Sequence, residues 1–166
     1  GVRPIGICEV LRRIIGKSIM NTLKDDICET AGSLQLCAGQ QAGSEAAIHA
    51  VHKIFEKDDC DAVILVDATN EFNTINRKAM LHNITILCPT LSKFAKNCYQ
   101  YPARLFLKGG NEIKSMEGTT QGDPIAMAMY AIGLTPLIDY IVLKHQKEVK
   151  SVSFADDLNG AGKVDS

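Results

Sequence analysis

Phe154-Ala155-Asp156-Asp157 makes the clearest chemical demand in the chain. Ser151 to Phe154 are strand formers and Leu158 resumes an extended pattern, so the two acids fall in an abrupt turn between strands. Adjacent carboxylates there repel by roughly 4 kcal/mol, taking ~4 Å and an effective dielectric of ~20. A hard cation such as Mg²⁺ suits an all-oxygen site of this kind. A second station lies upstream, where the apolar run Asp61 to Val66 reads as a strand buried on both faces and Asp67 closes it. A carboxylate at the end of a buried strand needs a partner or a cation. If the two strands are neighbours, Asp67, Asp156 and Asp157 converge. Three such acids call for two divalent ions ~3.5–4 Å apart, an arrangement suited to in-line phosphoryl transfer.

The elements that must position these acids follow from periodicity. Glu9 to Lys24 repeats Val10, Leu11, Ile14, Ile15 and Ile19 at helical spacing, which predicts an amphipathic helix with Arg12, Arg13, Lys17 and Lys24 on a basic outer face. Gln35 to Gly43 reads as a loop, and Ser44-Glu45 opens a helix to about Phe55 with Ala46, Ala47, Ala50, Val51 and Ile54 inward. His49 and His52 are read as surface groups. After Asp67 the polar run Asn70 to Asn76 breaks the pattern around a lone aromatic, Phe72; helices follow at about Arg77 to Leu87 and Leu91 to Tyr99. Gly109-Gly110-Asn111 joins strands Ala103 to Leu107 and Glu112 to Met116 as a hairpin. The glycine-bearing loop Glu117 to Pro124 leads into a long helix, roughly Ile125 to Lys144, with Pro136 as a candidate kink and Met127, Tyr130, Ala131, Leu134, Leu137, Ile138 and Ile141 inward. This order predicts an α+β fold, a sheet covered by helices on one face.

At 166 residues, 46% apolar and 22% charged, the chain has the size and composition of one globular domain. No apolar run is read as a membrane span, and no signal peptide opens the chain, which predicts an intracellular protein. Six cysteines without a Cys-x-x-Cys pair read as reduced, buried thiols. The formal net charge of −1 gives none of the basic excess usual in nucleic-acid binders. Both termini read as cuts through a longer protein.

Three stretches in order carry a family resemblance. Val66-Asp67-Ala68-Thr69-Asn70-Glu71-Phe72-Asn73 resembles the first catalytic motif of reverse transcriptases, Gly118 to Pro124 their template-grip motif, and Phe154 to Asp157 their second catalytic motif. Arg3-Pro4-Ile5 resembles their fingers motif, and Gln40 to Ile48 the segment before the first catalytic strand. The Phe-Ala pair before the acids is closest to the retrotransposon, non-LTR-like type. The resemblance implies a right-hand polymerase fold, with about residues 1–57 on the fingers side, about 58–166 mostly palm with an antiparallel sheet, and no thumb. It implies RNA-directed DNA synthesis from dNTPs on an RNA template and a DNA or RNA primer, with two Mg²⁺ ions, or Mn²⁺, and no membrane partner. Asp67, Asp156 and Asp157 would be catalytic and hold metal, joined by the Ala68 carbonyl. Phe72 would gate the ribose 2′-hydroxyl, Gln121 and Gly122 would hold the nascent base pair, and Arg3, with Lys17 on the basic helix face as a further candidate, would meet the triphosphate. Glu71 departs from the small residue common there. Two other readings stay open: an inactive or domesticated fragment that binds RNA or protein, and an RNA-dependent RNA polymerase, against which Phe72 argues.

Overall fold

The computed structural model describes residues 5–33, 35–38, 41–57, 60–145, 149–155 and 157–163. In chain order these form α1 (Val10–Thr22), α2 (Lys24–Ala31), α3 (Gly43–Phe55), β1 (Ala62–Asp67), α4 (Glu71–Thr74), α5 (Arg77–Leu87) and α6 (Pro89–Tyr99). Then come β2 (Ala103–Phe106), β3 (Glu112–Ser115), α7 (Ala126–His145), β4 (Val149–Phe154) and β5 (Asp157–Gly162). β1, β5 and β4 form an antiparallel sheet in that order; β2 and β3 form a separate hairpin. Two glycines with positive φ, Gly109 and Gly110, close that hairpin, as their sequence predicts.

The main core lies among helices. Ile27 of α2, Met80 and Ile84 of α5, Leu91 of α6, and Met129 and Ile132 of α7 are fully enclosed. A smaller cluster joins Ala47, Ala50, Val51 and Ile54 of α3 to Val152 and Phe154 of β4, so α3 covers one face of the sheet. α7 is the one described helix with the length and apolarity of a membrane span, but half of that stretch is buried inside the protein. It is the core helix that the sequence places at roughly Ile125 to Lys144, and it corrects the expectation that no apolar run reaches the length of a span.

Several expectations need correction. β1 is not buried on both faces: Ile64, Leu65 and Val66 are 63%, 74% and 47% exposed. The reason is topological, because among the described residues β1 pairs with β5 alone and forms the sheet edge. α1 is turned over relative to its apolar stripe. Val10, Leu11, Ile14 and Ile15 face outward, while Arg12 points inward to a carboxylate, Asp123. A buried acid takes its counter-ion in preference to another apolar contact, since an unpaired buried charge costs more than an exposed isoleucine. Gly16, buried against Pro124, lets the helix come close. α2 and the one-turn α4 were not anticipated, Ala46, Met127 and Leu137 are exposed, and α3 starts after a left-handed Ala42 instead of a Ser44 cap. All six cysteines are free, yet only Cys88 is buried and the others are half-buried.

Asp123 is the anchor of the loop before α7. Its Oδ2 accepts from Arg12 and, at 2.8 Å, from the Tyr99 hydroxyl, and its Oδ1 accepts from the Ile125 N–H. Arg12 and Arg77 both lie over the Tyr99 ring, 4.9 and 5.4 Å from its centroid. Burial first, then the Asp123 charge, pushes the Tyr99 phenol above its ordinary value. The folded protein therefore keeps this proton where the unfolded chain releases it. The resulting stability is complete below pH ~10 and is lost as pH rises beyond it. Tyr99→Phe should cost about 2 kcal/mol at pH 7, the scale of a hydrogen bond to a charged group. Urea midpoints measured against pH should fall above pH ~10 in the wild type and less steeply in the variant.

Candidate active site

The antiparallel register sets Asp67 directly opposite Asp157. Facing residues on paired strands share a face of the sheet with their Cβ atoms ~5 Å apart, and like charges so placed destabilise the pair. Phe154 of β4 is the register partner of Asp157 on its other side, so Phe154, Asp157 and Asp67 form one row across three strands. Two residues along, Val152, Asn159 and Leu65 make the next row on that face. A groove of about 310 Å³ runs between this face and α3, lined by Ala47, Val51, His52, Leu65, Asp157 and Asn159 among others. Both acids are exposed. The turn between β4 and β5 contains Ala155 in a left-handed conformation, φ 55°.

Asp156 and Arg3 lie outside the described residues, as does Gln40. Among the described residues no group of three metal-ligating side chains gathers; Asp67 and Asp157 stand as a pair. Ala68 follows Asp67 directly and is exposed, so its carbonyl lies beside the same strand end. Lys17 is exposed on α1.

Phe72 is placed by α4 and by the loop that follows β3. Its ring is 8% exposed and stacks on Tyr130 of α7, centroids 4.4 Å apart and tilted by 31°, with Ala155 and Phe154 in the same cluster. Its carbonyl accepts from the Thr119 N–H and from Thr119 Oγ1. Gly118, φ 61°, is required at this crossing because a Cβ there would sit 2.3 Å from that same carbonyl. Arg77, buried at the start of α5, holds the loop from the other side. Its guanidinium donates to the carbonyls of Ser115, Glu117 and Gly118 and to Ser115 Oγ. Burial draws it below its ordinary value, opposed by Tyr99 and Glu117. Gln121 is half-buried and bridges to Ile5, its carbonyl accepting from Gly6 N–H at 2.8 Å. Gly122, φ 102°, packs on the Gly6 carbonyl, which a Cβ would meet at 2.5 Å. Its steric reason within the chain is this contact with the N-terminal segment.

Sequence reasoning missed Thr119, Arg77 and the Arg12–Tyr99–Asp123 cluster as supports of the site. Thr119 and Asp123 lie in the stretch read as the template grip, but their supporting partners, like those of Arg77 and Arg12, lie tens of residues away and leave no local signal.

A family model described as reverse transcriptase (RNA-dependent DNA polymerase) matches residues 1–163. The chain belongs to the reverse transcriptase family. No curated protein matches it. Among solved structures it is similar to telomerase from Candida albicans in complex with a TWJ fragment of telomeric RNA, at 12% identity and a TM-score of 0.58 over 95% of this chain and 31% of that one. Apo telomerase from Candida tropicalis, truncated from its C-terminal domain, gives 12% and 0.56 over 93% and 34%. Telomerase from Candida tropicalis with the TWJ fragment gives 10% and 0.57 over 93% and 28%. At these identities the likeness is one of fold, and the chain spans about a third of the length of the telomerases it matches.

The reverse transcriptase family uses divalent ions, and the donor set at the strand ends fits one. Two exposed carboxylates brought face to face supply hard oxygens and an uncompensated negative field. Removing one of the two facing charges should relieve that field. Asp157→Asn is expected to raise the thermal midpoint at low ionic strength without divalent ions, and the gain should shrink as NaCl approaches 0.15 M, where the Debye length is ~8 Å. A midpoint independent of salt would separate the two acids.

Proposed function

We propose that this chain is the catalytic part of an RNA-directed DNA polymerase, of the retrotransposon type, that transfers nucleotides from dNTPs to a primer 3′-hydroxyl on an RNA template. The observation that carries this reading is the pairing of Asp67 with Asp157 at one strand end, in a chain of the reverse transcriptase family. In this reading residues 58–166 are mostly palm and residues 1–57 lie on the fingers side.

Asp67, Asp157, Asp156 and the Ala68 carbonyl would hold two Mg²⁺ ions. Bound there, such ions activate the attacking hydroxyl and steady the leaving pyrophosphate. The residues of the chain do the rest. Phe72, wedged by Tyr130 and tied through its carbonyl to Thr119, is a rigid wall against a ribose 2′-hydroxyl. Gln121 and Gly122 belong to a loop fixed by Arg77 and Asp123, which supports their role at the nascent base pair. Arg3, with Lys17 as a weaker candidate, would meet the triphosphate. A second reading, a protein-binding module derived from a reverse transcriptase, draws on Val10, Leu11, Ile14 and Ile15, which α1 turns outward.

The test is Mg²⁺-dependent extension of a DNA primer on an RNA template by this chain and by any longer polypeptide that carries it. Asp67→Asn should lower extension on the order of 10²–10³-fold or more, the scale of a lost electrostatic stabiliser. Extension at the wild-type rate would overturn the metal role. Phe72→Val should raise ribonucleotide incorporation relative to deoxynucleotide, measured with competing substrates; an unchanged ratio would reduce Phe72 to core packing against Tyr130.

A further inference from the structure

Gln35 is 1% exposed and directs both ends of its side-chain amide at a single distant residue. Nε2 donates to the Ala155 carbonyl at 3.1 Å, and Oε1 accepts from the Ala155 N–H at 2.8 Å. The amide thus stands in for a neighbouring strand and satisfies the whole backbone of one residue. Its own main chain is fixed beside β4: Gln35 bridges in parallel to Ser153, and the Leu36 N–H donates to the Ser153 carbonyl at 2.9 Å. Ala155 has φ 55°, a conformation that is unfavourable for a residue with a Cβ and persists only where its surroundings enforce it. Ala155 is also buried. Without the amide, its N–H and carbonyl would be desolvated and left without these bonds.

Position gives the clamp its significance. Ala155 stands between Phe154 and the acids, and its dihedral angles set the direction in which the chain re-enters β5 at Asp157. Phe154 pairs with Asp157 and Asp157 pairs with Asp67, so a relaxed turn releases the row at its end. Glycine at 155 would adopt the same φ freely but would not hold it, whereas alanine gripped by an amide has one conformation. We propose that Gln35 is a positioning residue, which locks the β4–β5 turn and so keeps Asp157 opposite Asp67. Its catalytic consequence rests on the polymerase reading above; its structural content does not.

The test uses the whole chain with Gln35→Leu, which keeps bulk and removes both hydrogen bonds, and Gln35→Glu, which keeps only the acceptor for the Ala155 N–H. Amide hydrogen exchange at Ala155 and Asp157 should accelerate at least ~10-fold in Gln35→Leu, while exchange at Ile84 in the helical core stays at the wild-type rate. Binding of Mn²⁺ alone, followed by electron paramagnetic resonance, should weaken ~10-fold in Gln35→Leu. Gln35→Glu should protect Ala155 better than Gln35→Leu does. Unchanged exchange at the turn, acceleration spread evenly into α5, or unaltered Mn²⁺ affinity beside a loosened turn would each overturn the assignment. A Gln35→Leu chain that does not fold leaves the decision to Gln35→Glu on the same readouts. Wild-type protein that binds no Mn²⁺ would sink the polymerase reading, with the exchange pattern still deciding the clamp.

Discussion

The ladder between β1 and β5 carries the site, because its register decides whether two acids meet. Side chains alternate along a strand, so a slip of one residue would send Asp67 to the face opposite Asp157. Nothing in Asp67 or Asp157 favours the register that brings them together; their mutual repulsion works against it. The register is held by packing on the same face as the acids, where Val152 of β4, two residues before Phe154, is buried against α3, and by the Gln35 segment, which lies along β4. The apolar packing of that face thus holds the charged row at its end in place, at a local electrostatic cost that a cation would remove.

The loop from Glu117 to Pro124 is built on the opposite tactic, in which charge is taken inside and given partners. Asp123 accepts from a guanidinium, a phenol and a backbone amide, and Arg77 spends its donors on three carbonyls and a hydroxyl. Such a network gives a glycine-bearing loop the stiffness of a helix without the helix. Thr119 and Gly118 then transmit that stiffness to Phe72. The aromatic, the loop and the acidic turn are thereby one mechanical unit, since Tyr130 and Ala155 complete the cluster around the ring.

Much of this was legible in the residues. The paired acids, the glycine hairpin, α5, α6 and α7 follow from local propensity and period. So does the convergence of Asp67 with Asp157, once their strands are neighbours. Periodicity showed that α1 has two faces, but the expectation of a basic outer face failed at Arg12, because the choice was made by Asp123, 111 residues away. The run Asp61 to Val66 has the composition of a central strand, but edge or centre depends on how many strands are present and not on the strand itself. Gln35 looked like part of a polar loop because its partner lies 120 residues away and a glutamine carries no signature of the backbone it will imitate.

Among the described residues no strand pairs with the outer side of β1, which has a consequence for handling the molecule. A sheet margin with Ile64, Leu65 and Val66 open to solvent offers main-chain donors and acceptors alongside apolar groups, the combination that recruits foreign strands. Two molecules docking there would lengthen each sheet across a common seam ending at Asp67.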